Sequence, residues 1–342
     1  MSAADSLWPA PLPTVAVEIV EAGRRLYGLV GFGWGDSQIQ ETLRTPLAAD
    51  DAHQVLADFS LRALRKSGQL GASEVQGRPA RVALGVVLRG QVNRATGVVH
   101  SAQGLPEWTE IPLGERLSDL IEVPCVENAT NAAAIAESVL GAASGFESVL
   151  YVSVGRQITS AYVVDGEVIR GAHDRAGEMG HFRVAATGPR CACGAEGHLN
   201  PIASAQAIVG ATIGRAADSD ASLDAILRVT NRRAEALTAA QVARLANEGD
   251  PVAASVIDAA VEGLSMALAN SIAVLDPEII VLQMQYGGKE ALITRIHARV
   301  LELTGGFAGH VTIVASRLGL YANLVGARLL AVRRAREQTP SS

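Results

Sequence analysis

The chain has 342 residues, which is more than one average domain and enough for two α/β domains with buried cores. Hydrophobic residues make up 49% of the sequence and charged residues 19%, a balance that excludes a largely disordered chain. The formal net charge of −6 provides no general attraction to nucleic-acid phosphates or anionic lipids. No continuous apolar run reaches the roughly 18 to 20 residues of a membrane span, and the start lacks a basic-then-apolar leader, so we expect a cytoplasmic protein without a membrane partner.

The first half of the chain predicts a hairpin, a helix and a further strand. Residues 1–13 are rich in proline and alanine, and we expect them to be flexible. Two β-rich runs, Val15–Val20 and Leu26–Phe32, flank a polar turn and predict the hairpin. Apolar residues recur at helical spacing in Asp51–Lys66, whereas the continuous apolar run Val82–Leu88 predicts a buried strand.

The second half again alternates helices and strands. Ala132–Leu140 predicts a helix and Val149–Val154 a strand. Ala161–Arg170 predicts a hairpin, because its central Asp-Gly pair favours a tight turn. Proline at the first position opens a long helix over Pro251–Leu275.

This alternation predicts two α/β lobes with a central cleft. We expect an N-terminal lobe over residues 14–129 and a C-terminal lobe over residues 130–317. A C-terminal helix should follow over residues 318–335, and residues 336–342 should form a flexible tail.

Two thiols and two imidazoles cluster in one short loop, residues 177–200. The stretch Gly177-Glu178-Met179-Gly180-His181 is followed, after nine residues, by Cys191-Ala192-Cys193-Gly194-Ala195-Glu196-Gly197-His198. Glycines let such a loop fold back on itself, so that four side chains can surround Zn²⁺ tetrahedrally. The predicted ligands are His181, Cys191, Cys193 and His198. Four protein ligands leave no open position, which predicts a structural ion. The alternative is two ordinary buried thiols and two surface histidines.

This stretch resembles the hallmark of the family of repressors, open reading frames and kinases (ROK), GExGH followed by CxCGxxGCxE. His198 stands at the third cysteine and Asn200 at the glutamate. The family's GVV…NLPGW segment is similar to Gly97-Val98-Val99 with Leu105-Pro106-Glu107-Trp108, and its VENDANAAA segment is similar to Val126–Ala134. Its LDPevIVLGGG segment is similar to Leu275–Leu282, and its C-terminal LG…GAA segment is similar to Leu318-Gly319 with Gly326-Ala327. The resemblance runs from about Val15 to Val332. It implies the actin-like ATPase (sugar kinase/ribonuclease H-like) fold.

The resemblance also locates the kinase machinery, which requires a base for the sugar hydroxyl and bare glycine turns for the phosphates. The family's catalytic aspartate falls on Ala129. Its first phosphate turn, DxGGT, falls on Glu18-Ile19-Val20-Glu21-Ala22. Its second, GTGxGxG, falls on Gly155-Arg156-Gln157-Ile158-Thr159-Ser160-Ala161, and its GGG turn falls on Gln283-Met284-Gln285. Gly287-Gly288 follows closely and can substitute only in part. We therefore expect no catalytic residues and no binding of ATP or Mg²⁺.

The resemblance implies sugar contacts at Asn128, Glu178 and His181, with Asn200 as a polar replacement for the glutamate. Carboxylates, amides and imidazoles pair well with sugar hydroxyls. The alternative is that Asn128 and Glu178 make structural hydrogen bonds around the zinc loop.

The family's regulators carry a helix-turn-helix domain ahead of the region that begins here at Val15. Only fourteen residues precede Val15, too few for three helices, so we expect no direct DNA binding by this chain. The leading hypothesis is a non-catalytic sugar-sensing or regulatory protein that binds a sugar-like small molecule and structural zinc, and the family implies a homodimer. The alternatives are an ATP-dependent kinase of hexoses or N-acetylhexosamines, a regulator without its DNA-binding domain, and a cleft recruited to other chemistry with Glu18 and Glu178 as acid/base groups.

Overall fold

A computed structural model of the chain describes residues 12–20, 25–30, 38–41, 47–71, 79–286 and 289–338. These residues form two compact units. Unit 1 contains the described residues up to Gly141, the segment Arg170–Arg175 and the described residues from Leu318 onwards. Unit 2 contains Ala142–Ile169 and Ala176–Arg317.

The described strands and helices alternate as the sequence predicts. The strands are β1 (Thr14–Val20), β2 (Arg25–Val30), β3 (Gln38–Glu41), β4 (Ala80–Leu88), β5 (Gly90–Asn93), β6 (Val98–Ala102), β7 (Leu105–Ile111), β8 (Ile121–Asn128), β9 (Ser148–Val154), β10 (Ile158–Val164), β11 (Glu167–Ile169), β12 (Ile279–Met284) and β13 (Thr312–Ala315). The helices are α1 (Ala52–Lys66), α2 (Leu113–Ser118), α3 (Ala129–Leu140), α4 (Asn200–Ala203), α5 (Ala205–Ala216), α6 (Asp220–Val229), α7 (Ala239–Asn247), α8 (Pro251–Leu275), α9 (Lys289–Leu303) and α10 (Ala322–Gln338).

Unit 1 is built on a sheet whose described strands run in the order β3-β2-β1-β4-β8. β1 and β2 pair antiparallel as the predicted hairpin, whereas β1, β4 and β8 are parallel. A smaller sheet of β5, β6 and β7 follows β4 along the chain. α3 and α10 contact each other extensively, and α10 also contacts β1, β4 and β8.

Unit 2 is built on a sheet whose described strands run in the order β11-β10-β9-β12-β13. β10 and β11 form the predicted hairpin, and both turn residues, Asp165 and Gly166, have positive φ angles of 51° and 75°. Among the described helices, only α8 is long and apolar enough to span a membrane, by length and composition alone. Most of its apolar stretch is buried inside unit 2, which is typical of a core helix.

Three predicted boundaries differ from the structure. Helix α3 was expected at the start of the second lobe, but its contacts with α10 group it with unit 1. α10 continues through Gln338, so residues 336–338 are helical rather than a tail. Of the predicted flexible segment 1–13, Leu12 is buried against α10 residues including Ala331, and residues 1–11 lie outside the described residues.

The close approach of α10 to its neighbours depends on glycine. A Cβ atom at Gly326 would overlap the carbonyl oxygen of Ala132 in α3, and one at Gly85 in β4 would overlap the carbonyl oxygen of Ala327. Because these neighbours are backbone atoms of packed elements, they cannot move aside independently.

We therefore expect Gly326→Ala to lower the free energy of unfolding by about 1–3 kcal/mol, the usual cost of overpacking. Gly210→Ala in α5 is the control, because a Cβ atom there meets nothing within 4 Å. Alanine is the better helix former, so the control should be neutral or stabilising by up to about 1 kcal/mol. Urea denaturation of both variants measures the difference, and equal stabilities would contradict the packing argument.

A buried carboxyl group joins β1 to α10. Glu18 is only 6% exposed, and its carboxyl oxygen accepts a hydrogen bond from the Asn323 side-chain amide at 2.7 Å. Burial raises the pKa of Glu18 above its ordinary value of 4.5, and the hydrogen bond from Asn323 and the charge of Arg89 only partly oppose that increase.

A raised folded-state pKa for Glu18 means that its contribution to stability is fully present below pH 4.5 and is lost as the pH rises through the folded-state value. We therefore expect the free energy of unfolding of the wild type, relative to Glu18→Gln, to decrease as the pH rises from 4.5 through the folded-state pKa of Glu18. Urea denaturation at a series of pH values tests this, with exposed Glu107→Gln as the control. A difference that does not change with pH would contradict the buried neutral carboxyl.

Candidate functional site

The loop that carries the thiols and imidazoles folds as a small, hydrogen-bonded hairpin. His181 ends a short 3-10 turn, Met179–His181, and Arg183 then pairs with His198 in an isolated β-bridge. Gly197 has a φ of 74°, and a Cβ atom there would overlap the carbonyl oxygen of Ala185. Glycine is therefore required for the loop to close on itself, as the sequence indicates.

The four predicted metal ligands come together. Their donor atoms all lie within 4.8 Å of one another. The Nδ1 atoms of His181 and His198 are 3.4 Å apart, Cys193 Sγ is 3.4 Å from His198 Nδ1, and Cys191 Sγ is 3.9 Å from His181 Nδ1. A tetrahedral zinc ion with bonds of about 2.1 Å to nitrogen and 2.3 Å to sulfur has N···N edges of about 3.4 Å and S···N edges of about 3.6 Å. The cluster therefore has the dimensions to hold a tetrahedral ion, with both histidines binding through Nδ1.

Glu178 lies beside this cluster. Its Oε2 is 4.0 Å from His181 Nε2, the ring nitrogen that would remain free if Nδ1 bound a metal. The Glu178 side chain is 56% exposed, so its carboxylate keeps hydrogen-bonding capacity for a ligand. A carboxylate that faces the second nitrogen of a ligating histidine also helps to orient that ring.

Asn200 makes structural contacts rather than facing solvent. Its side-chain oxygen accepts a hydrogen bond from the backbone N–H of Ile158 at 2.7 Å. Its amide nitrogen lies directly against Gly180, where a Cβ atom would overlap it. Asn200 therefore links the start of α4 to β10 and to the GExGH turn.

Asn128 caps helix α3 at the end of β8. Its side-chain oxygen accepts from the backbone N–H groups of Thr130 at 2.7 Å and Asn131 at 3.2 Å, as an N-cap residue does. Its amide donates to the carbonyl oxygen of Gly90 at 2.7 Å. One amide hydrogen is left for a ligand. Ala129, the first residue of α3, is only 2% exposed and offers a methyl group where a base would be required.

Glu127, the carboxylate nearest in sequence to Ala129, is fully engaged in unit 1. It is 1% exposed, and Arg170 contacts both of its oxygens, at 2.9 and 2.6 Å. One oxygen also accepts from the Asn128 backbone N–H at 2.8 Å and from the Asn131 amide at 3.1 Å. Oε1 of Glu127 accepts three of these hydrogen bonds and Oε2 one, and the buried carboxylate is paired with a guanidinium, which disfavours taking a proton from a substrate hydroxyl. No sequence pattern had singled out Glu127 or Arg170.

The turn after β9, where the family has a phosphate loop, is occupied by side chains and internal bonds within unit 2. The Gln285 side-chain amide lies against Gly155, 3.2 Å from where a Cβ atom would be. The Gly155 carbonyl accepts from the Ala205 N–H at 2.8 Å. Gln283 is buried, and its side-chain oxygen is 3.2 Å from the Ser153 hydroxyl. Glutamine side chains therefore fill space that glycines would leave open. The other parts of the predicted phosphate turns, Glu21-Ala22 and Gly287-Gly288, lie outside the described residues.

Tyr286 fixes the end of β12 beside this turn. Its hydroxyl donates a hydrogen bond to the carbonyl oxygen of Ala203 at the end of α4. The ring is 3% exposed, and burial raises the pKa of the phenol. Tyr286, the second residue after β12, is therefore held by interior contacts.

Comparisons with known proteins agree with this fold and these motifs. A sequence profile of the ROK family matches residues 68–334. The chain is 29% identical to a glucokinase of Thermotoga maritima over 71% of this chain and 77% of that protein. It is 30% identical to the xylose repressor of Bacillus subtilis over 37% of this chain and 33% of that protein.

A solved structure extends the similarity over nearly the whole chain. A ROK hexokinase from Thermus thermophilus superimposes with a TM-score of 0.70 and 26% identity, covering 95% of this chain and 100% of that one. The actin-like ATPase fold of sugar kinases is thereby confirmed for these two units. With more than half of its residues matched by the family profile, this chain belongs to the ROK family.

Proposed function

We propose that this chain is a non-catalytic, cytoplasmic member of the ROK family that senses a sugar-like small molecule, binds one structural zinc ion and forms a homodimer. The observation that carries the proposal is Ala129, a buried methyl group at the position of the family's catalytic base. Such a position must accept the proton of the attacking hydroxyl, which a methyl group cannot do.

The surroundings of Ala129 support loss of the catalytic base rather than its replacement by a nearby carboxylate. Glu127 is held by Arg170, by the Asn128 backbone N–H and by the Asn131 side-chain amide, so it cannot replace the missing aspartate. Glu18 is buried and accepts a hydrogen bond from Asn323, so its carboxyl group makes a structural contact instead of facing a phosphate. The methyl group of Ala129 and the internal contacts of Glu127 and Glu18 together support a protein that no longer transfers phosphate.

Sugar recognition is proposed for the groups that still have hydrogen-bonding capacity. Glu178 keeps an exposed carboxylate, and His181 would present Nε2–H once Nδ1 held a metal. Asn128 keeps one amide hydrogen beyond its capping role. Asn200 contributes through the geometry of the loop, because its oxygen is already bonded to Ile158. Acceptors and donors of this kind match sugar hydroxyls.

Zinc should copurify at about one ion per chain, because the donor distances fit a tetrahedral site. We expect Cys193→Ser to lose the metal and to lower the melting temperature, since binding free energy of a structural ion is also folding free energy. Cys125→Ser is the matched control, because Cys125 is a buried cysteine of β8 outside the cluster. Elemental analysis of protein purified without chelators gives the answer, and a metal-free, fully folded wild type would end the zinc proposal.

The similarity to glucokinases favours a second candidate, an ATP-dependent sugar kinase. If Ala129 were the only defect, Ala129→Asp would restore activity, because a positioned base contributes about a hundred- to ten-thousand-fold. We expect no restoration and no binding of Mg-ATP by either protein, since Gln285 lies against the Gly155 turn. Calorimetry and a coupled assay with hexoses and N-acetylhexosamines test this. Micromolar binding by either protein would favour a kinase silenced at one residue.

Adding Gln285→Gly to Ala129→Asp sharpens the experiment. Recovery of nucleotide binding only in the double variant would identify Gln285 as the obstruction and would still support a non-catalytic wild type.

The similarity to a xylose repressor favours a third candidate, the sensor module of a regulator. A thermal-shift screen of sugars, sugar phosphates and nucleotides separates the candidates, because a ligand that binds only the folded state raises its apparent stability.

A further inference from the structure

A groove of about 610 Å³ lies on unit 2, beside the zinc loop. Strands β10 and β11 form its floor, the last turns of α8 form one wall, and residues 176–183 form the other wall. Its volume falls in the range of sites for drug-sized ligands, about 300–1,000 Å³, and such ligands are larger than one sugar ring. A bare monosaccharide would therefore leave part of the groove empty.

The end of the groove next to the zinc loop is polar. Ser160 of β10 joins the floor to this loop, because its N–H and its hydroxyl donate to the Gly177 carbonyl oxygen at 2.7 and 3.0 Å. Glu178 and His181 line the groove here, and the Glu178 side chain is 56% exposed. On the α8 wall, the exposed Asn270 amide has no hydrogen-bond partner in the part of the chain that the structure describes. These groups match the hydroxyls of a sugar.

The opposite end of the groove is apolar. Tyr162, two residues after Ser160 on the floor, pairs with Ile169 of β11, and its hydroxyl donates to the Leu275 carbonyl oxygen at 2.8 Å. Ile169 is 48% exposed and Val274 of α8 is 82% exposed. The apolar side chains at this end cannot pair with sugar hydroxyls, and the Tyr162 hydroxyl is already bonded.

The two ends therefore favour different parts of a ligand. A sugar hydroxyl at the apolar end would lose its water without gaining a partner, which is unfavourable. An apolar group there would gain free energy by leaving water. Phe182, next to His181, adds an aromatic ring that is 39% exposed. Exposed apolar side chains that surround a concave surface in this way indicate a binding groove.

A small ligand is favoured over a protein segment for two reasons. A segment that filled the groove would also cover Glu178 and His181, the side chains proposed for sugar contact. β11 has only three residues, so the edge of the sheet offers little backbone for an added strand. A small molecule can instead use the polar and the apolar end together.

We propose that the sugar-like ligand of this chain is a glycoside with an apolar, preferably aromatic, aglycone. Its sugar ring contacts Glu178 and His181, and its aglycone lies along the groove between Tyr162 and Val274. An aromatic aglycone suits this position because the Tyr162 and Phe182 rings allow stacked or edge-to-face contacts. The inference rests on the proposed sugar-sensing function and adds the class of ligand.

The test is isothermal titration calorimetry of the full, zinc-loaded chain with matched pairs of glycosides. The probes are the phenyl and methyl glycosides of glucose, mannose, xylose and N-acetylglucosamine, each as both anomers, with phenol alone as a further probe. The methyl glycoside reports the sugar contacts, and the phenyl glycoside adds the aglycone. For the preferred sugar we expect the phenyl glycoside to bind at least about tenfold more tightly, because the groove removes its ring from water.

Variants at the two ends should affect the two probes differently. Val274→Asn combined with Ile169→Asn should abolish the preference for the phenyl glycoside and leave the methyl glycoside unchanged. Val274→Ile should keep the preference, because it keeps the apolar surface. Glu178→Gln should weaken both glycosides by a similar factor. Leu320→Asn is the matched control, because Leu320 is a 66% exposed apolar residue of unit 1. Circular dichroism and zinc content establish that each variant is folded.

Each outcome decides the proposal. A phenyl preference that the polar groove variant abolishes and Leu320→Asn leaves intact supports it. Equal binding of phenyl and methyl glycosides overturns the ligand class and leaves sugar sensing standing, whereas no binding of any glycoside overturns both. A preference that survives the polar groove variant, or phenol that binds as tightly as the phenyl glycoside, contradicts an aglycone site joined to the sugar site. A groove variant that changes the sedimentation of the protein instead of glycoside binding would identify a protein contact and refute the proposal.

Discussion

The buried ion pair between Glu127 and Arg170 determines much of what the candidate site in unit 1 can do. Breaking a pair of this kind by removing one partner typically costs about 3–5 kcal/mol, because the other charge stays buried and unpaired. The pair holds the segment Arg170–Arg175 against unit 1, between two stretches of chain that belong to unit 2. The pair also occupies the carboxylate that is nearest in sequence to Ala129. Glu127 therefore serves the fold, which supports the proposal that Ala129 has no neighbouring base.

The junction of β8 and α3 supports the expectation that Ala129→Asp alone does not restore catalysis. Asn128 uses its side-chain oxygen to cap α3 and one amide hydrogen to bind Gly90. Asn131 bonds to Glu127. The capping bonds satisfy backbone N–H groups that a helix end would otherwise leave unpaired, so they hold the Asn128 side chain in its present position. A new carboxylate at position 129 would meet polar groups that already have partners.

Local patterns were predictable from the sequence and long-range contacts were not. The zinc-type cluster came from four residues within one loop, and the hairpin of β10 and β11 from an Asp-Gly turn, so both could be anticipated. The position of α3 could not, because it depends on Gly326 meeting Ala132 nearly two hundred residues away. Asn200 was interpreted as a ligand contact, but its partner, Ile158, is 42 residues distant in sequence. Alternation predicts which elements form, but not which sheet a helix covers.

The zinc loop lies on α8 through apolar contacts, which gives the loop a role in the packing of unit 2 that does not depend on kinase chemistry. Leu199, Ile202 and Val184 pack over Gly263, where a Cβ atom would come within 3.2 Å of Leu199. A metal in the cluster would hold these side chains over the core of unit 2, so the loop has a structural reason to persist that is independent of phosphate transfer. A sensor needs only a ligand that binds one state of the protein more tightly than another. If catalysis has been lost with the base and the bare phosphate turns, as we propose, the loop that carries Glu178 and His181 would still allow a ligand to bind one state more tightly than another.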